Sequence, residues 1–133
     1  MIIKEIRIKN FRSYYGDNNR FELSNGLTLI LGDNGDGKTT FFDALLWLFN
    51  TTIDKGNIDH MSEMRKSKME IGEQDEVSVF MSFEHDGEKS VEKSFTVERV
   101  SEDFFRVGNL VYRGYETIAV SYTHLTLPTK LEV

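Results

Sequence analysis

The residues best suited to chemistry lie together in Gly32-Asp33-Asn34-Gly35-Asp36-Gly37-Lys38-Thr39-Thr40, which satisfies the pattern G-x-x-x-x-G-K-S/T. These types at this spacing suit a chain of phosphates. Consecutive backbone N–H groups can wrap an anion, and glycines permit both the backbone angles and the close approach. A helix that starts at the end of the loop adds its positive end. The Lys38 ammonium would reach the β- and γ-phosphates of a nucleotide, and the Thr39 hydroxyl would ligate magnesium. The candidate contacts are therefore Gly35, Gly37, Lys38, Thr39 and Thr40, with Thr39 on the metal. Asp33 and Asp36 are less ordinary, because they bring two carboxylates to a loop meant for an anion. Either they point outward or the magnesium offsets them.

Such a loop works only between a strand and a helix. Before it, Leu-Thr-Leu-Ile-Leu at 27–31 is a nearly continuous apolar run, as in a strand covered on both faces. After it, a helix is expected from near Lys38. Phe41, Phe42, Ala44, Leu45, Leu46, Trp47, Leu48 and Phe49 leave that helix almost no polar face, which predicts burial all round. Asp43 alone interrupts it.

The remaining elements follow from alternation and turn residues. Residues 2–9 alternate with period two, with Ile2, Ile6 and Ile8 on one face and Glu5, Arg7 and Lys9 on the other, which predicts a half-buried strand. Tyr14 to Asn19 reads as a turn, and Arg20 to Leu23 as a short second strand. Residues 51–75 are polar, with Met61, Met64 and Met69 scattered among charges, and read as a mobile insertion with one short helix. His60 is expected in a loop there, without catalytic duty. Two alternating runs then flank Asp86-Gly87, a good hairpin signal. Val77, Val79, Met81 and Phe83 share one face, continued on the partner by Phe95, Val97 and Arg99. A second hairpin is expected over residues 104–113, turning at Gly108-Asn109.

The 133 residues fit one domain, and the net charge of -6 argues against a generally basic nucleic-acid binder. The charge is uneven, however. Lys4, Arg7, Lys9 and Arg12 crowd the first strand, opposed by Glu5, while acidic residues dominate from Glu70 to Asp103. The basic strip reads either as a solvated sheet face or as an edge that meets DNA or phosphate. No apolar run is long enough for a transmembrane helix, and the N-terminus lacks the apolar core of a signal peptide. The expectation is a cytoplasmic protein without a membrane partner. With no cysteine, neither a disulfide framework nor a Cys-based zinc site can form.

Ile-Lys-Glu-Ile-Arg-Ile-Lys-Asn-Phe-Arg-Ser at 3–13, followed by the segment 21–49 with its loop, resembles the N-terminal lobe of the SMC-like ATPases. The likeness is closest to the SbcC-type double-strand-break-repair ATPases, and extends to RecF-like and phage-defence ATPases. It is strong over residues 1–50 and rests on strand pattern alone over 76–113. It implies an α/β (α+β) fold: a partial ABC-type P-loop lobe with strand, loop and helix beside an antiparallel β-layer. It also implies ATP with Mg2+ as cofactors. By the resemblance Arg12, in the family's N-F-R-S strand, approaches the nucleotide phosphates, and Asn34 matches the loop asparagine near the γ-phosphate. Asp36 departs from the small Ser or Ala usual there. Such proteins bind DNA, pair a second ATPase head across the nucleotide, and often partner a nuclease subunit.

In that family a second lobe, after a long coiled coil, supplies the Walker B acid and a signature loop. Here Val79 to His85 is broken by Ser82 and lacks the Asp-Glu pair. Leu23 to Gly26 mimics a signature loop but precedes the phosphate loop, and Gln74 comes before the hairpins rather than after them as a Q-loop would. No heptad stretch appears. This chain is thus expected to bind ATP while the parent hydrolyses it. Two rivals remain: a self-contained small P-loop kinase or GTPase, which would need its own downstream acids, and an interaction module that kept the loop shape without nucleotide.

The last segment reads differently. Val-Ser-Tyr-Thr-His-Leu-Thr-Leu-Pro-Thr at 120–129 shifts in composition and holds the chain's only proline, Pro128. As natural sequence it would be a final strand. The codons GTC TCT TAT ACA CAT CTG ACG CTG CCG ACG encode the same residues and look like the end of a transposase-based sequencing adapter. The expectation is adapter read-through: a truncated ATPase lobe over 1–119, a non-native tail over 120–133 and no role for His124. Such a lobe alone would expose apolar helix surface.

Overall fold

Alternating runs of the sequence become the strands of one antiparallel sheet. The computed structural model describes residues 2–17, 19–22, 35–51, 55–84 and 86–115, and for Ile2 and residues 35–40 the backbone alone. Strands β1 (Ile2–Lys9) and β2 (Asn19–Glu22) precede helix α1 (Gly35–Phe49). A 3-10 turn (Ile58–His60), helix α2 (Glu63–Lys68), and strands β3 (Gln74–Glu84), β4 (Glu88–Arg99), β5 (Phe105–Val107) and β6 (Val111–Arg113) follow. The sheet order is β2-β1-β3-β4-β5, and β6 also pairs with β4.

The long β3–β4 hairpin forms where expected. Its turn places Asp86 (φ 56) and Gly87 (φ 107) in the left-handed region, which Gly adopts freely and Asp tolerates. Val77, Val79, Met81 and Phe83 are buried on one face with Val91, Phe95 and Val97 from β4, and Ile6 and Ile8 join them from β1. Cross-strand partners such as Ile6↔Met81 and Ile8↔Val79 pack these side chains directly against each other. In β1 the expected face needs one correction. A register shift between Ile3 and Glu5 brings Ile3, which was not expected there, to the buried face with Ile6 and Ile8, while the side chain of Ile2 lies outside the described residues. A bulge inserts one residue and so reverses the alternation beyond it.

The second hairpin, expected over 104–113, does not form. β5 and β6 both pair with β4, through Val97↔Val107 and Ser94↔Val111, on the edge opposite β3. The chain runs on along one strand direction instead of turning at Gly108-Asn109. The Gly108 N–H donates to the Thr96 carbonyl at 2.9 Å and carries the ladder through the interruption. Between those pairs β4 advances by one residue fewer than its partner, so Gly108-Asn109 accommodates a bulge.

Helix α1 lies against the buried sheet face. It starts at Gly35, earlier than the expected Lys38. Phe41, Ala44, Leu45 and Leu48, at helical spacing, are fully buried and form one stripe. The all-round burial expected of α1 is not seen. Leu46 is 58% exposed, and Phe42 and Phe49 are half-buried, because the described sheet covers one side only. Burial of Phe41, Leu45 and Leu48 contributes about 1.5–3 kcal/mol for each side chain.

Residues 55–73 hold the expected short helix, α2, preceded by the 3-10 turn. Ser62 caps α2 by accepting from the Arg65 N–H. Met61 and Met69 are core residues, 1% and 2% exposed, while Met64 is exposed. A bridge Phe11↔Met61 ties this segment to the end of β1. The expected strand at 27–31 and the segment 116–133 lie outside the described residues.

Candidate nucleotide site

The first four N–H groups of any helix lack intrahelical acceptors, and in α1 these belong to Gly35, Asp36, Gly37 and Lys38. Their donors and the helix dipole make this end of α1 suited to an anion. Gly35, Gly37, Lys38, Thr39 and Thr40 thus sit together on the first turns of one helix. Asn34 lies outside the described residues, as do the side chains of residues 35–40.

Arg12 reaches the same helix from the corner that follows β1. Asn10 (φ 54) and Arg12 (φ 51) both take left-handed backbone, at a cost of about 1–2 kcal/mol for an ordinary residue. Asn10 holds the corner. It is 1% exposed, its amide donates to the Glu76 carbonyl at 3.0 Å, and its Oδ1 accepts from the Gly16 N–H at 2.9 Å. Its backbone N–H donates to the Gly16 carbonyl at 3.1 Å, and its carbonyl accepts from Ser62 at 2.8 Å. Phe11 is buried against Trp47 and His60, each ring centroid 5.4 Å away. The Arg12 N–H donates to the His60 carbonyl at 2.8 Å, and its guanidinium lies 3.8 Å from the Asp43 carboxylate. Asp43 is one turn beyond Thr39 and roughly 12 Å along the helix from Gly35. The structure therefore brings Arg12 to the flank of α1, within about a turn of Thr39, where Asp43 is its carboxylate partner.

The far end of α1 holds a residue that sequence reading passed over. Lys93 is fully buried, and its ammonium donates to the carbonyls of Trp47 and Asn50, each at 2.7 Å. It also stands 4.5 Å from the centre of the Trp47 ring. Burial pushes its pKa down to about 8. His60 nearby is lowered too, first by burial and then by the charges of Arg12 and Lys93. Its Nδ1 is buried without a hydrogen-bond partner among the described residues.

Residues 5–117 match the AAA domain family. The chain belongs to that family. Among the relatives of this AAA domain is the DNA double-strand break repair Rad50 ATPase of Methanocaldococcus jannaschii, 37% identical over 65 residues, which cover 42% of this chain and 6% of that protein. The DNA replication and repair protein RecF of Lachnoclostridium phytofermentans is 27% identical over 126 residues, 90% of this chain and 34% of its own length. The chromosome partition protein Smc of Fusobacterium nucleatum is 40% identical over 48 residues, 36% of this chain and 4% of its own. The chain thus spans about a third or less of each of these relatives. The likeness to SMC-like ATPases holds across all three.

In this AAA domain the basic strip of β1 is not an open cationic face. Lys4 lies 3.9 Å from Glu84, Arg7 3.6 Å from Glu5 and Lys9 3.6 Å from Asp75. With Arg12 at Asp43, each cation of the strip has a carboxylate near it. Asn10 was legible only as part of the N-F-R-S resemblance, which gave it no role. Lys93 had a signal: period two places it between Val91 and Phe95 on the buried face, where a lysine needs partners. Among the described residues no helix is long and apolar enough to cross a membrane, and no three or more His, Asp or Glu side chains cluster as metal ligands.

Proposed function

We propose that this AAA domain binds ATP with Mg2+ as part of an SMC-like ATPase that acts on DNA in repair or defence. The observation that carries the reading is the Gly32-to-Thr39 motif, whose last residues form the N-terminal end of a helix with one face buried on the sheet. The donors fit the ligand: helix N–H groups without intrahelical acceptors and Lys38 suit phosphate oxygens, and a threonine hydroxyl is a hard ligand suited to magnesium. Gly35 and Gly37 give the phosphates close access to the backbone. Lys38 neutralises the terminal phosphates, and the backbone of Thr39 and Thr40 continues the cradle. The Thr39 side chain would hold the metal, and by the family likeness Asn34 would lie by the γ-phosphate. Arg12 adds a second cation beside the helix once it exchanges Asp43 for a phosphate oxygen. Magnesium, when bound, neutralises charge between the phosphates. DNA, a second ATPase head and a nuclease subunit are the partners of the whole protein in this reading, and hydrolysis belongs to that assembly.

Titration of Mg-ATP against the wild-type chain and Lys38→Ala tests the reading. Removal of one charge-assisted contact is expected to weaken binding by about 10- to 100-fold. Thr39→Ala should reduce the dependence on magnesium, seen as a smaller loss of affinity when EDTA is added. Equal affinities of wild type and Lys38→Ala would sink the nucleotide claim.

A further inference from the structure

We propose that Lys93 and Tyr115 are positioning residues for the nucleotide site, holding α1 by its C-terminal carbonyls so that its N-terminal end stays at a fixed height above the sheet. This rests on the ATP reading above for its function, though not for its geometry. A helix ends with carbonyls that need donors from outside it. In α1 neither usual solution is present: no basic residue lies in its last turn, and Asn50-Thr51 follows where a glycine cap would be. The Asn50 N–H closes one tight turn onto the Trp47 carbonyl at 3.2 Å, and the side-chain donors come from β4, β6 and Tyr115 just beyond β6. Lys93 donates to Trp47 and Asn50, Tyr115 donates to Leu48 at 2.5 Å, and Tyr112 reaches Asn50 at 3.4 Å.

These donors form one unit. Lys93 and Tyr112 face each other across the β4–β6 ladder, and the Tyr112 and Tyr115 rings meet edge to face at 5.2 Å. The Lys93 ammonium stands 5.4 Å from the Tyr112 ring. No carboxylate is among the partners that the structure gives Lys93. Its buried charge is directed at the negative end of the helix dipole, where a cation is stabilised. A hydrophobic residue would fill the same space without the desolvation cost. The lysine supplies a specific grip on the helix end, and α1 is stiff enough to transmit it over its roughly 22 Å. A shift of about 1 Å at the helix start would misplace Gly35 to Thr40 against the phosphates, enough to cost up to about 100-fold in a positioned site.

The test compares wild type, Lys93→Met, Tyr115→Phe and Lys38→Ala in the 133-residue chain. Mg-ATP affinity is read with a fluorescent ATP analogue, thermal unfolding without nucleotide, and amide exchange along α1. Lys93→Met is expected to weaken Mg-ATP about tenfold and Tyr115→Phe about threefold at full binding amplitude. Both should speed exchange of the α1 amides from Thr39 to Asp43, far from either substituted side chain. A cap that only stabilises would lower the melting temperature and leave affinity unchanged in the folded protein. That outcome overturns the proposal. If Lys93→Met does not fold, unchanged affinity in Tyr115→Phe overturns it alone. If wild type and Lys38→Ala bind ATP equally, the nucleotide reading fails instead, and the exchange data decide the clamp: unaltered exchange near Thr39 refutes it.

Discussion

Lys93 sets a pH dependence with a definite sign. Its pKa lies at about 8 in the fold and at 10.5 in the unfolded chain. Below about pH 8 both states carry the proton, and the penalty of burying the charge is fully present. Between those values the unfolded chain binds more protons, so stability rises with pH. The neutral amine still offers two N–H donors to the two carbonyls. Urea midpoints are therefore expected to rise from about pH 8 to about pH 10 in wild type and to stay flat in Lys93→Met. The window closes near its top, because burial raises Tyr14 above its usual 10.0 and an unfolded tyrosine ionises first. His60 acts at the other end. Its lowered pKa favours the neutral ring in the fold, so its contribution is complete above pH 6.5 and lost as pH falls through the folded value. Asn10 is a test of strain and hydrogen bonding together. Asn10→Ala removes the bonds to Glu76 and Gly16 and puts alanine in left-handed backbone, for a loss of about 2–4 kcal/mol in chemical denaturation. Asn10→Gly, which relieves the backbone, should recover part of that loss.

Among the elements, the short edge strands are the least secure and the most informative. β5 and β6 each contribute three paired residues to β4, supported by ion pairs of Arg106 with Glu98 and Arg113 with Glu92. Gly114 (φ 81) ends β6, and a Cβ there would run into the Ser90 carbonyl oxygen. Gly114→Ala is expected to detach β6 and Tyr115 and to cost more than about 2 kcal/mol, with fast exchange at residues 111–113. Wild-type exchange there would refute it. Periodicity made β3, β4 and the stripe of α1 legible, because alternation and helical spacing record which face is buried. It failed at 104–113, where an interrupted edge strand and a hairpin have the same local pattern of apolar runs around Gly-Asn. Which pairing wins depends on whether β4 offers a free edge, and that is a property of the whole sheet. The segment 55–73 was equally opaque. The backbone at Met61 is held by the bridge to Phe11 and at Met69 by the Arg99 hydrogen bond to its carbonyl, and neither tie has a signal in the spacing of the methionines. Arg65 adds a tether invisible in sequence, donating to Asp75 at 2.5 Å and Glu73 at 2.6 Å. Burial would raise Asp75, but Arg65, the Glu76 N–H and Lys9 together hold its carboxyl below the usual range. The Gly32-to-Thr39 motif is read from residue types and spacing alone, and the described residues add that Gly35 to Thr39 form the first turns of α1.

At the scale of the molecule, local ion pairing decides how the basic strip behaves. The net charge is -6, and Lys4, Arg7, Lys9 and Arg12 each have a carboxylate near them. Cations already paired release few counterions on meeting phosphate. The chain alone is expected not to retard a DNA duplex in a gel at about 0.15 M salt, and a clear shift there would place a DNA contact on this domain. One further consequence concerns the single tryptophan. Trp47 touches the ring of Phe11 from the β1 corner, His60 from the 3-10 turn, Phe95 from β4 and the ammonium of Lys93. Its intrinsic emission is therefore a one-site optical gauge of the junction where helix, sheet and turn meet. Because a protonated imidazole quenches indole light, acidification should dim the signal as His60 takes up its proton, before the fold itself opens.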